Sequence, residues 1–195
     1  MTPREATVAR TTKETNVRVE LRLDGTGTAT AHTGLPFFDH MLEQLGTHAG
    51  FDLTVTAKGD LQVDAHHTVE DVALVMGQAF TEALGEKKGV RRFASIIVPL
   101  DEAAVEVALD LSGRPFVVQE VDVPAEMIGT FDTGLVEDFV RAFATAASMT
   151  LHVRLKSGRS PHHVVEAEFK ALGKALGDAV SRTGRAETPS TKGTL

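Results

Sequence analysis

His66-His67-Thr68-Val69-Glu70 and His162-His163-Val164-Val165-Glu166 carry one pattern, His-His-x-x-Glu, repeated 96 positions apart. Imidazole and carboxylate without thiolate form a donor set for a divalent transition ion; mid-series ions such as Mn²⁺ suit it, and Zn²⁺ is the alternative on affinity grounds. The chain has no Cys, so disulfides and thiolate sites are excluded and His, Asp and Glu remain as ligands. Residues four apart on a helix share one face, so His66 pairs with Glu70 and His162 with Glu166. His67 and His163 are turned by about 100° from their neighbours and point elsewhere. Each copy is therefore half a site with a spare imidazole. Exchange of the spares is the economical solution: His163 completes the His66/Glu70 set and His67 the His162/Glu166 set, within one chain or between chains. Two metals related by a pseudo-two-fold result.

A further ligand is available upstream of each cluster. His40 lies in Phe37-Phe38-Asp39-His40, and its counterpart at an offset of 98 is Asp138. An isolated His-His pair is usually a surface feature, and one His-x-x-x-Glu is usually a salt-bridged helix pair. Two aligned copies favour the metal reading over both. His32 and His152 have no such pattern and read as structural or surface residues.

The elements that must hold these clusters are themselves duplicated. Val17, Val19, Leu21, Leu23 and Gly25 recur 88 positions later as Val105, Val107, Leu109, Leu111 and Gly113, with Glu14 mapping onto Glu102. Thr47, Ala49 and Leu53 recur at 98 as Thr145, Ala147 and Leu151, and Gly77, Ala79 and Ala83 recur at 96 as Gly173, Ala175 and Ala179. The order is kept while the offset drifts, as loops of unequal length would produce. Alternating apolar residues predict strands at 4–10, 16–23, 28–32 and 51–57, and helical periodicity predicts helices at 36–49 and 69–84. The second half repeats this with strands at 93–100, 104–111, 115–121 and 149–156 and helices at 134–147 and 164–180. The fold class is α+β, two tandem β-β-β-α-β-α halves with sheets outside and helices packed between them. Residues 1–90 form the first half, 91–183 the second, and 184–195 a tail.

Composition narrows the function classes. A length of 195 residues, 42% hydrophobic, builds a sizeable core. The net charge of −7 argues against nucleic acid as partner. The polar start and the lack of a long apolar stretch give neither a secretion signal nor a membrane span, so the expected location is the cytoplasm.

Several strings together resemble the imidazoleglycerol-phosphate dehydratase family: Thr12-Lys13-Glu14-Thr15, Leu23-Asp24-Gly25-Thr26-Gly27, Phe37-Phe38-Asp39-His40-Met41-Leu42, His66-His67-Thr68-Val69-Glu70-Asp71, Asp110-Leu111-Ser112-Gly113-Arg114-Pro115 and Pro189-Ser190-Thr191-Lys192-Gly193. They run in order along nearly the whole chain. The resemblance implies a ribosomal-S5-domain-2-like fold in each half and removal of water from D-erythro-imidazole glycerol phosphate to give imidazole acetol phosphate, in histidine biosynthesis. It implies two Mn²⁺ ions per active site, and a homo-oligomer of twenty-four subunits built from trimers, with active sites between subunits. One ion would take His40, His66, Glu70 and His163, and the other His67, Asp138, His162 and Glu166. The family varies at position 138 among His, Glu and Asp. Phe93-Ala94, where the family often has an aromatic followed by Gly, is a small departure.

That reaction explains the residue types. The substrate has no carbonyl beside the C–H bond that breaks, so its imidazole must relay the electrons. Cations on both ring nitrogens favour the deprotonated ring. The imidazolate can expel the adjacent hydroxyl, giving a diazafulvene, and loss of the neighbouring proton then yields an enol that tautomerises to the ketone. Glu70 and Glu166 are indispensable on this account. Glu14 is the expected acid/base, with His48 as second candidate. Resemblance places Gln44, Arg92, Arg114, Lys170 and the tail residues Ser190, Thr191 and Lys192 on the substrate, the cations serving its phosphate. From composition alone, Arg91-Arg92 is a solvated charge pair, Glu14 a solvated edge charge and the tail a disordered terminus. Two rival classes share the ligand set: a binuclear metallohydrolase acting on a small phosphorylated substrate, and a non-enzymatic protein whose ions hold an oligomer together.

Overall fold

The computed structural model describes residues 3–123, 126–185 and 187–193, so Met1, Thr2 and part of the expected tail (186, 194 and 195) lie outside the described residues. The first half runs β1 (Glu5–Thr11), β2 (Thr15–Arg22), β3 (Ala29–His32), α1 (Pro36–Ala49), β4 (Asp52–Gly59) and α2 (His66–Leu84). The second runs β5 (Phe93–Leu100), β6 (Ala103–Asp110), β7 (Phe116–Glu120), β8 (Met127–Ile128), β9 (Phe131–Asp132), α3 (Leu135–Ala146), β10 (Thr150–Ser157) and α4 (Pro161–Val180). Two four-stranded sheets share one topology, β1-β2-β4-β3 and β5-β6-β10-β7, with the fourth strand parallel to its neighbour in each. Val19 pairs with Val55 and Val107 with Val153, and the register of the central strands is duplicated up to Leu155, beyond which a bulge in β10 pairs Ala104 with Ser157.

Alternation decides which side of each sheet is covered. Val17, Val19 and Leu21 on β2 and Val105, Val107 and Leu109 on β6 point inward and are buried, while Asn16, Arg18, Glu20 and Arg22 face outward. Helix α2 packs on β1 and β2, α4 packs on β5 and β6, and the helices meet in the middle as α1 against α4 and α2 against α3. Sheets therefore lie outside and helices inside, around one apolar cluster rich in Phe: Phe38, Phe51, Phe80, Phe131, Phe139, Phe143 and Phe169. Among the described residues no helix is long and apolar enough to cross a membrane.

Two features depart from the expectation. Helices α2 and α4 start at His66 and Pro161, one turn before their apolar periodicity, because their first turns carry His and Pro in place of apolar residues. Asp64 accepts from the His66 amide at 2.8 Å. Ser160 caps α4 and Pro161 occupies its first turn, where a missing N–H costs nothing. Both His-His-x-x-Glu strings are thus fully helical, which is what the one-face argument requires. The second departure is the β8–β9 hairpin, too short to show a period. It lies in the stretch where the repeat offset grows from 88 to 98, and it seats Phe131 against Phe37 and Phe38, with ring centroids 5.6 and 5.7 Å apart.

Candidate metal and substrate site

The ligand candidates sit at the starts of the four central helices and fall into two localities. In the first, His66 Nε2 lies 3.6 Å from Glu70 Oε2, and His66 Nδ1 lies 3.4 Å from Asp138 Oδ2 on α3. In the second, His162 Nε2 lies 3.1 Å from Glu166 Oε2, and His40 Nε2 on α1 approaches the same oxygen at 3.7 Å. The helical pairing predicted from spacing is observed in both copies. Phe37 holds His162 edge-on, centroids 5.1 Å apart, so the hairpin that packs Phe131 on Phe37 indirectly supports a ligand.

The spare histidines face elsewhere. His67 Nδ1 is 3.0 Å from Asp60 Oδ2 and 3.9 Å from Glu14 Oε2. His163 Nδ1 is 2.7 Å from Glu102 Oε2. In each case the hydrogen bond to the carboxylate raises the histidine's pKa, against a smaller opposing effect of burial. Asp60 and Glu102 were not anticipated as site residues. Glu102 carried a signal, its place in the repeat opposite Glu14; Asp60 carried none. Among the described residues no three His, Asp or Glu side chains converge closely enough in one chain to hold an ion.

Helix periodicity extends the second locality into a polar stripe. His40, Gln44 and His48 follow one another at four-residue steps along α1, opposite Glu166, Lys170 and Lys174 on α4. Lys170 Nζ bonds Glu166 Oε1 at 2.7 Å. Burial would raise the Glu166 carboxyl, but Lys170, His162 and His40 outweigh it and hold the group below its usual range. His48 is pushed down by burial and then by the charges of Lys170 and Lys174, which keeps its imidazole neutral near pH 7 and able to accept a proton. The repeat equivalents of Gln44, His48 and Lys170 are Ala142, Ala146 and Leu74, so the α2–α3 pair lacks this stripe.

The cationic residues form a separate group. Arg92, Arg114 and residues 187–192 line a pocket of about 640 Å³, which Lys170 does not line. Arg92 directs Nε and Nη2 at the two Asp110 oxygens, 2.6 and 3.0 Å away, and Nη1 at the Pro189 carbonyl, 2.7 Å away. The Gly89 amide donates to the Glu187 carbonyl at 3.0 Å. The tail is thereby stitched alongside residues 89–92, and Ser190, Thr191 and Lys192 are brought to Arg92 and Arg114. The Arg114 carbonyl accepts from Thr150 Oγ1 at 3.2 Å, and its amide donates to Ser112 Oγ at 3.1 Å, which fixes the loop bearing the second arginine. Arg92 is neither solvated nor paired with Arg91, because Asp110 claims the side-on edge of its guanidinium.

Comparison with known proteins bears on what this arrangement is for. Residues 33–176 match the family model described as imidazoleglycerol-phosphate dehydratase. The imidazoleglycerol-phosphate dehydratase of Acidothermus cellulolyticus is 57% identical over 193 residues, covering 99% of this chain and 94% of the relative. That of Desulfitobacterium hafniense is 53% identical over 196 residues, covering 100% of both. The crystal structure of the Staphylococcus aureus enzyme superposes with a TM-score of 0.83 at 36% identity, covering 92% of this chain and 99% of that one. The Pyrococcus furiosus enzyme, solved in complex with (S)-C348, gives a TM-score of 0.83 at 36% identity, covering 96% and 100%. Full-length identity at this level carries neither rival class, hydrolase or non-enzymatic scaffold, and the chain belongs to the imidazoleglycerol-phosphate dehydratase family of hydro-lyases.

Proposed function

We propose that the chain dehydrates imidazole glycerol phosphate to imidazole acetol phosphate, a step of histidine biosynthesis, at a two-Mn²⁺ centre built where two subunits meet. One observation supports this above the others. Each ligand set that the family resemblance implies would take two residues from the starts of α2 and α3 and two from those of α1 and α4: His66 and Glu70 with His40 and His163, and His67 and Asp138 with His162 and Glu166. The contacts within one chain instead join Asp138 to His66 and His40 to Glu166. A pair of ions gripped between the α2–α3 helix starts of one chain and the α1–α4 helix starts of another would reconcile the implied sets with these contacts. The donor set of imidazole and carboxylate fits Mn²⁺, and an assembly of trimers into twenty-four subunits would supply the facing copies.

Two Mn²⁺ ions held this way would withdraw electrons from the ring nitrogens of a bound imidazole, the assistance that departure of the ring-adjacent hydroxyl requires. The protein's own groups do the rest. Loss of that hydroxyl and of the neighbouring carbon-bound proton removes one water and leaves an enol, whose tautomer is the ketone. Glu14, exposed and 3.9 Å from His67 Nδ1, is the acid/base group, and neutral His48 is placed for a second transfer along the α1–α4 stripe. Gln44 and Lys170 line that stripe and orient the hydroxyl-bearing chain. Arg92, Arg114, Ser190, Thr191 and Lys192 take the phosphate, whose oxygens match fork-like donors.

The test offers the purified protein imidazole glycerol phosphate beside a panel of phosphoesters, before and after exhaustive chelation. Turnover of the first substrate alone, lost on chelation and restored by Mn²⁺, supports the reading. Full activity after chelation contradicts it.

A further inference from the structure

Asp60 and Glu102 are carboxylates that no ligand or proton-transfer role accounts for, yet each is hydrogen-bonded to a histidine expected to hold metal. The distances are 3.0 Å from Asp60 Oδ2 to His67 Nδ1 and 2.7 Å from Glu102 Oε2 to His163 Nδ1. The same ring nitrogen is used both times. An imidazole that ligates through one nitrogen ordinarily donates its other N–H to such a partner, which fixes tautomer and ring orientation together.

We propose that Asp60 and Glu102 are positioning residues of the metal centre, each holding its histidine as the Nδ1–H tautomer so that Nε2 is the nitrogen offered to the ion. The proposal rests on the two-metal reading above. Two other acidic groups act on His163, Asp101 and Glu166, but only through their charge; Asp101, at 3.9 Å from Nε2, lies beyond hydrogen-bond reach and is 75% exposed.

The duplication strengthens the assignment. Glu102 is the repeat counterpart of Glu14, and each follows the first strand of its half, in the turn before β6 or at the edge of β2. Glu102 is committed to its histidine and also accepts from the Arg159 and Ser160 amides, at 3.2 and 2.9 Å, which ties it to the start of α4. Glu14 stands back from His67, because Asp60 has taken that position. The counterpart of Asp60 at an offset of 98 is Gly158, which has no side chain to offer. Each half therefore keeps one orienting carboxylate, drawn from a different strand end. In the first half this arrangement releases the ancestral hairpin glutamate for proton transfer. Two equivalent glutamates have diverged into a positioning group and a catalytic one.

The experiment titrates Mn²⁺ into metal-free wild-type, D60N, E102A, E102Q and E14Q chains, following the free-ion EPR signal, with unfolding temperature as a check on folding. E102Q keeps an acceptor for the Arg159 and Ser160 amides, so a fold defect in E102A does not remove the test. Expected are losses of roughly tenfold to a hundredfold in affinity for E102A, smaller losses for D60N and E102Q, whose amide oxygens still accept from Nδ1, and E14Q within about twofold of wild type although inactive. At a pH where both rings are neutral, side-chain ¹⁵N spectra of the metal-free protein should show His67 and His163 as Nδ1–H tautomers, that of His163 lost in E102A and that of His67 weakened in D60N. Wild-type affinity in the Asp60 and Glu102 variants overturns the proposal alone, as does an equal loss in E14Q. A wild-type chain that takes up no Mn²⁺ overturns the two-metal reading and this proposal with it.

Discussion

Gly173 on α4 lies so close to α1 that a Cβ placed on it would collide with the Leu45 carbonyl oxygen. Its repeat counterpart Gly77 repeats the relationship on the other side, where a Cβ would come within 2.7 Å of the Phe143 carbonyl oxygen and 2.6 Å of Ala146 Cβ. Leu45 and Phe143 are themselves counterparts at an offset of 98. These two crossings set how near α1 comes to α4 and α2 to α3, and hence how near His40 comes to Glu166 and Asp138 to His66.

A methyl group at either crossing has only backbone or an alanine to displace. Gly173→Ala is therefore expected to cost about 1–3 kcal/mol of stability, the range of overpacked cores. It should also weaken Mn²⁺ binding, because α4 must move away from α1. Chemical denaturation and metal titration of the same variant read the two effects, and a neutral Gly173→Ala would contradict the close-crossing argument.

Arg92 does two jobs with one guanidinium, gripping Asp110 along one edge and the Pro189 carbonyl with Nη1. Lysine has a charge but no fork, so Arg92→Lys should free the tail and widen the pocket. The expected result is a KM for imidazole glycerol phosphate raised at least about tenfold, equivalent to roughly 1.4 kcal/mol, with a smaller change in kcat. Deleting the residues after Pro189 should produce the same split. A fall in kcat at unchanged KM would show that this group does not bind substrate.

Glu168 contributes the clearest pH dependence of stability. It is buried, accepts one hydrogen bond from Gln119 Nε2 at 2.7 Å, and burial pushes its carboxyl up to about 7. A carboxyl raised in the folded state favours folding below its unfolded value near 4.5, and that advantage is lost as pH rises towards 7. The protein should thus gain on the order of 2 kcal/mol from this group as pH falls from 7.5 to 5. Glu168→Gln should remove that dependence, because two amides can pair without charge. Unfolding midpoints of both proteins across this range check it, and parallel curves would refute it.

Much of this fold and site is legible in the amino-acid sequence, for identifiable reasons. Strict alternation in Val17–Leu23 and Val105–Leu111 encodes strands with one buried face, and β2 and β6 form there in matching register with β4 and β10 up to the bulge at Leu155. The pairing of His66 with Glu70 and of His162 with Glu166 follows from helical geometry alone. What spacing could not give was partnership across elements. Nothing in sequence distance sets Asp138 beside His66 or His40 beside Glu166, since both contacts depend on helix crossings made by Gly77 and Gly173. Asp60 acts from a strand end, where no periodicity operates, and the place of Glu102 opposite Glu14 in the repeat marks a position without naming its partner His163. The β8–β9 hairpin was missed because two-residue strands carry no alternation. The first turns of α2 and α4 carry His66, His67, Pro161, His162 and His163, which add no apolar signal to mark where the helices start.

The central claim is that each active site takes its ligands from two chains, and mixing inactive variants tests it most directly. Glu70→Ala damages the first locality and Glu166→Ala the second, so each pure variant should be inactive. Co-assembled, they generate interfaces where an intact first locality meets an intact second one. Roughly a quarter of the wild-type rate should return if the chains mix at random. Mixed assemblies that form but stay inactive would contradict the account.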